Sequence, residues 1–133
     1  MVAMQPSPAL SRTYLLFFDL DSAELSPRSQ TVIIEIADEL RAAQNTQGRS
    51  EPSLPLVPAR AMFVEVIGHA DAAEAAAGKA SVGRTRAEAV AALLRLNGVP
   101  GDRITVSFFG ADRPLVPNPG ADPQNRRVEF VYR

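Results

Sequence analysis

The chain has 133 residues, enough for one domain with its own core and too few for two ordinary ones. Fourteen basic and fifteen acidic side chains leave a net charge of -1, so no global field draws nucleic acid or anionic lipid, and a charged ligand must be held by local geometry. The absence of cysteine excludes disulfides, thiol catalysis and cysteine-ligated zinc or iron–sulfur centres.

Residues 1–12 are polar and proline-bearing and read as a loose leader, without the basic and apolar regions of a secretory signal. No run approaches the ~18 apolar residues of a membrane span. The aromatic stretch "TYLLFFD" (13–19) predicts a buried strand. In "SPRSQTVIIEIADELRAAQ", Ser26 is placed as N-cap and Pro27 at the first helical position, and Val32, Ile33, Ile36, Ala37 and Leu40 recur at helical spacing. The proline-bearing segment 45–60 reads as a surface loop insert.

A second strand is expected over "AMFVEVIG" (61–68), a short helical turn over 72–77, and a helix over "RTRAEAVAALLRLNG" with Ala87, Val90, Ala91 and Leu94 on its inner side. Asn97 and Gly98 should end that helix. "DRITVSFF" alternates, with Ile104, Val106 and Phe108 facing inward, and "NRRVEFVYR" does the same through Val128, Phe130 and Tyr132. The order implies an α+β fold: one domain over 13–133, a small β-α-β-α-β-β sandwich with helices packed against one mixed sheet.

Chemistry is sparse. No serine has a nucleophile-elbow setting and the chain has one histidine, so a hydrolytic triad is not supported. His69, Asp71 and Glu74 form a conceivable metal set for a metal-dependent hydrolase; against it stands a His69 that hydrogen-bonds backbone at the strand end. There is no phosphate-binding glycine loop, and the few aromatics fall in expected core strands, which leaves no platform for nucleic acid.

Asp71 and Arg86 remain, each with two readings. Asp71 and Glu74 have the spacing of a capping box, and Arg86 could be a solvated residue or pair with Glu88 or Glu74. Alternatively, a short return from strand to helix brings Asp71 and Arg86 together, where a guanidinium fork and helix N-terminal amides would take a carboxylate while Asp71 takes an ammonium. Such a pocket suits the zwitterionic end of an amino acid. Lys79 adds a cation beside it that could support a second carboxylate or pair with Glu74.

Several motifs in order resemble the OmpA-like peptidoglycan-binding domain, the family of porin-like periplasmic ends, Pal-type lipoproteins and MotB-type stators. "FFDLDSAEL" resembles its opening strand and loop, "VIGHAD" its glycine-histidine-threonine-aspartate strand end, "RAEAV" its arginine-alanine helix start, and "GADRPLVPN" with "NRRVEF" its closing loop and strand. The match runs from Tyr14 to Arg133. Ala70 stands where the family has threonine, and Gly83 where it has a serine before the helix.

The resemblance implies a non-catalytic wall-binding module without a cofactor or metal, in which Asp71 and Arg86 grip the diaminopimelate of the peptidoglycan stem peptide. Asp21 and Ser22 form a further wall, Ala70 and Lys79 adjoin the pocket, and Asn125 and Arg126 belong to the closing motif in a more structural capacity. Alanine at Asp71 or Arg86 should then abolish binding and leave the fold intact. It also implies a periplasmic site of action, with outer-membrane association through a segment outside this sequence. The alternative is a module that keeps the fold without the ligand and acts through envelope proteins or a second copy of itself.

Overall fold

The computed structural model describes residues 13–44 and 63–133; the leader over 1–12 and the insert over 45–60 lie outside the described residues. Strand β1 (Thr13–Phe17) leads to helix α1 (Pro27–Gln44), and strand β2 (Val64–Gly68) to a one-turn helix α2 (Ala72–Ala76) and the longer α3 (Val82–Leu96). A 3-10 turn at Gly101–Arg103 precedes β3 (Ile104–Phe108), and β4 (Arg127–Tyr132) closes the chain. The Ser26 hydroxyl accepts the Ser29 amide at 3.1 Å, so α1 is capped where its sequence placed the cap.

The sheet order is β1-β4-β2-β3. β4 is antiparallel to both β1 and β2, and β2 is parallel to β3. The expected mixed sheet with helices on it is therefore present, an α+β fold. One face of the sheet carries Leu16, Val64, Val66, Val128, Phe130 and Tyr132, which pack with Ile33, Ile36 and Leu40 of α1 and Ala87, Val90 and Leu94 of α3. Phe108 departs from its expected inward role at 48% exposure. It ends an edge strand, with a neighbour on one side only, and the Arg84 guanidinium lies over its ring.

This topology locates the site. β1, β2 and β3 all run in one direction, so their C-terminal ends gather at one end of the sheet, and β4 starts there. The segments after β1, β2 and β3 therefore meet beside Asn125 and Arg126.

At that end β2 and α3 cross at two glycines. A Cβ on Gly68 would lie 1.8 Å from the Gly83 carbonyl oxygen, and one on Gly83 would lie 3.2 Å from the His69 backbone. Helix α3 begins at Val82, two positions before the expected Arg84: its first i to i−4 bond runs from the Thr85 amide to the Ser81 carbonyl, and the Val82 and Gly83 amides bond back to the Lys79 and Ala80 carbonyls in the preceding turn. Gly83 lies inside the helix as the point of contact, and the crossing sets Arg86 one turn further along, over the end of β2. Gly68→Ala should cost about 3 kcal/mol or more, as overpacking against backbone cannot relax by rotamer change. Urea denaturation measures this; a loss under about 1 kcal/mol would mean that the crossing gives way easily.

Candidate functional site

Arg86 lies on the same stripe of α3 as Val90 and is completely buried. A buried guanidinium must find partners for all five N–H groups, and it does. Nε donates to the Ser22 carbonyl (2.8 Å), Nη1 to the His69 carbonyl (3.0 Å) and Nη2 to the Asp19 carbonyl (3.0 Å). The remaining two bonds go to Glu74, Nη1 to Oε1 at 2.9 Å and Nη2 to Oε2 at 2.6 Å. The Phe18 ring lies 5.3 Å from the guanidinium carbon.

Glu74 is also buried, and its two oxygens take further amides: Oε1 accepts from Asp71 at 2.9 Å and Oε2 from Asp21 at 2.7 Å. Asp71 returns the first bond, its Oδ1 accepting the Glu74 amide at 2.7 Å, so the capping box forms around α2. The other Asp71 oxygen accepts from the Asp122 amide (3.0 Å) and from Arg126 Nη1 (2.9 Å). Burial opposes ionisation of Asp71, but the Glu74 amide, Arg126 and the Asp122 amide together hold its pKa below the usual value.

Asp71 and Arg86 therefore belong to one network, joined through Glu74, and each is already ion-paired inside the chain. Of the other expected residues, Asp21 sits at a positive φ of 56° that aims its amide at Glu74, and its carboxylate pairs with exposed Lys79 at 3.2 Å. Ser22 contributes its carbonyl rather than its hydroxyl, which accepts the Glu24 amide. Ala70 is buried and donates its amide to the Gly110 carbonyl. Asn125 stands apart from the charged network: its side chain bonds to Leu115 and Val116 and fastens the segment between β3 and β4. Arg126 does more than the closing motif suggested, bridging Asp71 to the Phe18 carbonyl.

Two of the alternatives for pairing are decided by geometry. Glu88 bonds to Arg84, four positions away, whereas Arg86 and Glu88, two apart, face different sides of the helix. Lys79 reaches Asp21, not Glu74. The sequence reading missed Asp122, whose contribution is a backbone amide and leaves no side-chain signal. It also missed the burial of Arg86, although its four-residue spacing from Val90 was such a signal.

No group of three His, Asp or Glu among the described residues is placed to hold a metal ion. The Glu74 carboxylate accepts four bonds and the Asp71 carboxylate three, all within the chain, and His69 turns to the opposite face of the sheet. There its ring stacks on Phe109 with centroids 6.0 Å apart, Arg113 covers the far ring at 3.7 Å, and Nε2 is 3.4 Å from Glu129. Among the described residues neither ring nitrogen has a hydrogen-bond partner; the expected bond to backbone is made by the His69 main chain, which donates to the Arg127 carbonyl. Burial, with Arg127 assisting and Glu129 opposing, pushes the His69 pKa down to about 4.

The sequence model of the OmpA family matches residues 56–127, and the chain belongs to that family. It is 35% identical over 134 aligned residues to an outer membrane protein of Gluconacetobacter diazotrophicus, covering 95% of this chain and 31% of that protein. It is 36% identical over 91 residues to a peptidoglycan-associated lipoprotein of Legionella pneumophila, covering 59% of this chain and 51% of the relative. The chain thus spans about a third of the first relative's length and about half of the second's. The crystal structure of the peptidoglycan-associated lipoprotein from Burkholderia pseudomallei superposes with a TM-score of 0.69 at 24% identity, over 90% of this chain and 89% of that one, an agreement in fold.

Two measurements follow. Arg86→Ala strands the Glu74 carboxylate and three carbonyls, and should lower stability by roughly 3–5 kcal/mol in urea titrations. This departs from the expectation that alanine there spares the fold; a stability within 1 kcal/mol of the unsubstituted chain would restore it. For His69, the folded pKa of about 4 lies below the ordinary 6.5, so the unfolded chain binds the extra proton between those values. Its contribution is complete above pH 6.5 and is lost as pH falls toward 4, at up to about 1.4 kcal/mol per pH unit. His69→Gln should flatten this part of the stability profile, and an unchanged slope would show that other groups carry it.

Proposed function

We propose that the chain is a non-catalytic peptidoglycan-binding module that recognises the diaminopimelate of the stem peptide, tethering the outer membrane or an envelope complex to the wall from the periplasm. The observation that carries this reading is the placement of Asp71 and Arg86 in one charged network where the segments after β1, β2 and β3 meet. Membership of the OmpA family, the names of the Legionella and Burkholderia relatives, and the opposite charges of the pair support it. The distal end of diaminopimelate carries an ammonium and a carboxylate on one carbon, which suits an aspartate beside an arginine.

Charge-assisted bonds of roughly 1.5–3 kcal/mol each lead to micromolar-to-millimolar affinity for one head group. Repetition along a polymeric wall raises the effective affinity when many modules engage together. Among the described residues no helix is long and apolar enough to cross a membrane, so attachment to a membrane is assigned to none of the described helices.

A second reading has its own observation. Every Arg86 donor is used inside the chain and Asp71 has no exposed surface, which suits a fold that no longer takes the ligand and works through protein contacts or as a dimer. Titration calorimetry with a diaminopimelate stem peptide separates the two. The lysine-containing counterpart lacks only the distal carboxylate and so tests the guanidinium, while Asp71→Asn tests the ammonium site with little change in shape. Saturable heat with diaminopimelate, weakened at least ~10-fold in both controls, supports the wall-binding module. Equal heat for the two peptides overturns it, and no heat together with a stable dimer in light scattering supports the second reading.

A further inference from the structure

We propose that Glu74 is the built-in occupant of a carboxylate receptor, and that a ligand carboxylate reaches Arg86 only by displacing it. Four donors surround the Glu74 carboxylate, and each oxygen receives one guanidinium N–H and one main-chain amide. The distances fall between 2.6 and 2.9 Å, the range of charge-assisted bonds. None of these donors belongs to Glu74 itself. They come from the segment after β1, the end of the β2 segment and α3, so the shell is complete for any carboxylate of suitable reach.

The occupant is also held more weakly than its receptor. Arg86 is anchored by three further bonds to carbonyls, and the Gly68–Gly83 crossing fixes the helix that carries it. Glu74 sits on a helix of five residues, far too short to be stable by itself. Its neighbours Ala76, Ala77, Gly78 and Lys79 are exposed, and Gly78 has a positive φ and nothing within 4 Å of an added Cβ. Withdrawing Glu74 therefore needs a shift of one short, solvent-facing segment, and it leaves the other walls in place.

The companion charge is arranged alike. The Arg126 guanidinium on Asp71 occupies the position that an ammonium would take, so the two internal pairs stand together as a zwitterion supplied by the chain. A ligand carboxylate that replaces Glu74 makes the same kinds of bond that it breaks, so binding is an exchange whose net gain is small. An attached competitor at millimolar or higher effective concentration reduces the apparent affinity to the intrinsic affinity multiplied by the open fraction. Glu74 is in this sense the residue that sets affinity and selectivity, and it gives preference to ligands with a second point of attachment.

The receptor can be tested without wall fragments. The Glu74→Ala chain should gain thermal stability in sodium formate relative to sodium chloride at equal ionic strength, because formate fits the vacated shell. The unsubstituted chain and a Glu74→Ala, Arg86→Met double variant should show no difference between the salts. If formate and chloride act alike on Glu74→Ala, or if that chain folds in neither, the receptor is overturned.

The same variant then addresses the ligand, and this part alone rests on the reading proposed above. The diaminopimelate stem peptide should bind Glu74→Ala at least ~10-fold more tightly than the unsubstituted chain. Binding that is measurable but no tighter overturns the role of Glu74 as competitor. Formate stabilisation with no peptide binding in either chain supports the carboxylate receptor and overturns the wall ligand.

Discussion

A single buried guanidinium organises this end of the molecule. Arg86 enters the apolar stripe of α3, where leaving any of its N–H groups without a partner would cost a full desolvation penalty. Its five bonds are spread over the segment after β1, the end of β2 and Glu74 of α2. Segments that would otherwise be surface loops are thereby held in one arrangement. The conformation of Asp21, the capping box of α2 and the pairing of Asp71 with Arg126 all sit on this frame.

The frame rests on backbone proximity as much as on charge. With no side chain at either glycine, β2 and α3 approach closely enough for Arg86 to reach the His69 carbonyl. On the opposite face, His69, Phe109 and Arg113 form a stack, and Arg127 ties Glu129 to the Arg113 carbonyl. That cluster braces the segment between β3 and β4 from below, while Asn125 fastens it within. The Asp122 amide is thus delivered to Asp71 by a support that reaches across the sheet.

In the proposed reading, stability and recognition draw on the same groups. A site that held its charges open to water would bind a zwitterion readily but leave the loops unanchored; here the charges are satisfied within the chain. An ion pair buried this deeply contributes little net stability compared with apolar packing, yet breaking it is costly, which favours a defined arrangement over loose alternatives. Ligand binding at such a site, as proposed above, is a change of partner rather than the filling of a vacancy.

Much of the fold was legible along the chain, because it depends on local signals. Ser26 and Pro27 start α1, the alternation of Val128, Phe130 and Tyr132 marks β4, Asn97 and Gly98 end α3, and the Asp71–Glu74 spacing encodes the capping box. The conjunction of Asp71 and Arg86 was also foreseeable from a strand returning into a helix. The sequence by itself thus determined the elements, their order and the residue types available at the site. Only the tertiary structure decided which charge meets which: Glu74 rather than Glu88 for Arg86, Asp21 for Lys79, and Arg126 with the Asp122 amide for Asp71. The physical reason is that these partners lie far apart in the chain and become neighbours only when parallel strands gather their C-terminal ends, a juxtaposition that no local periodicity contains.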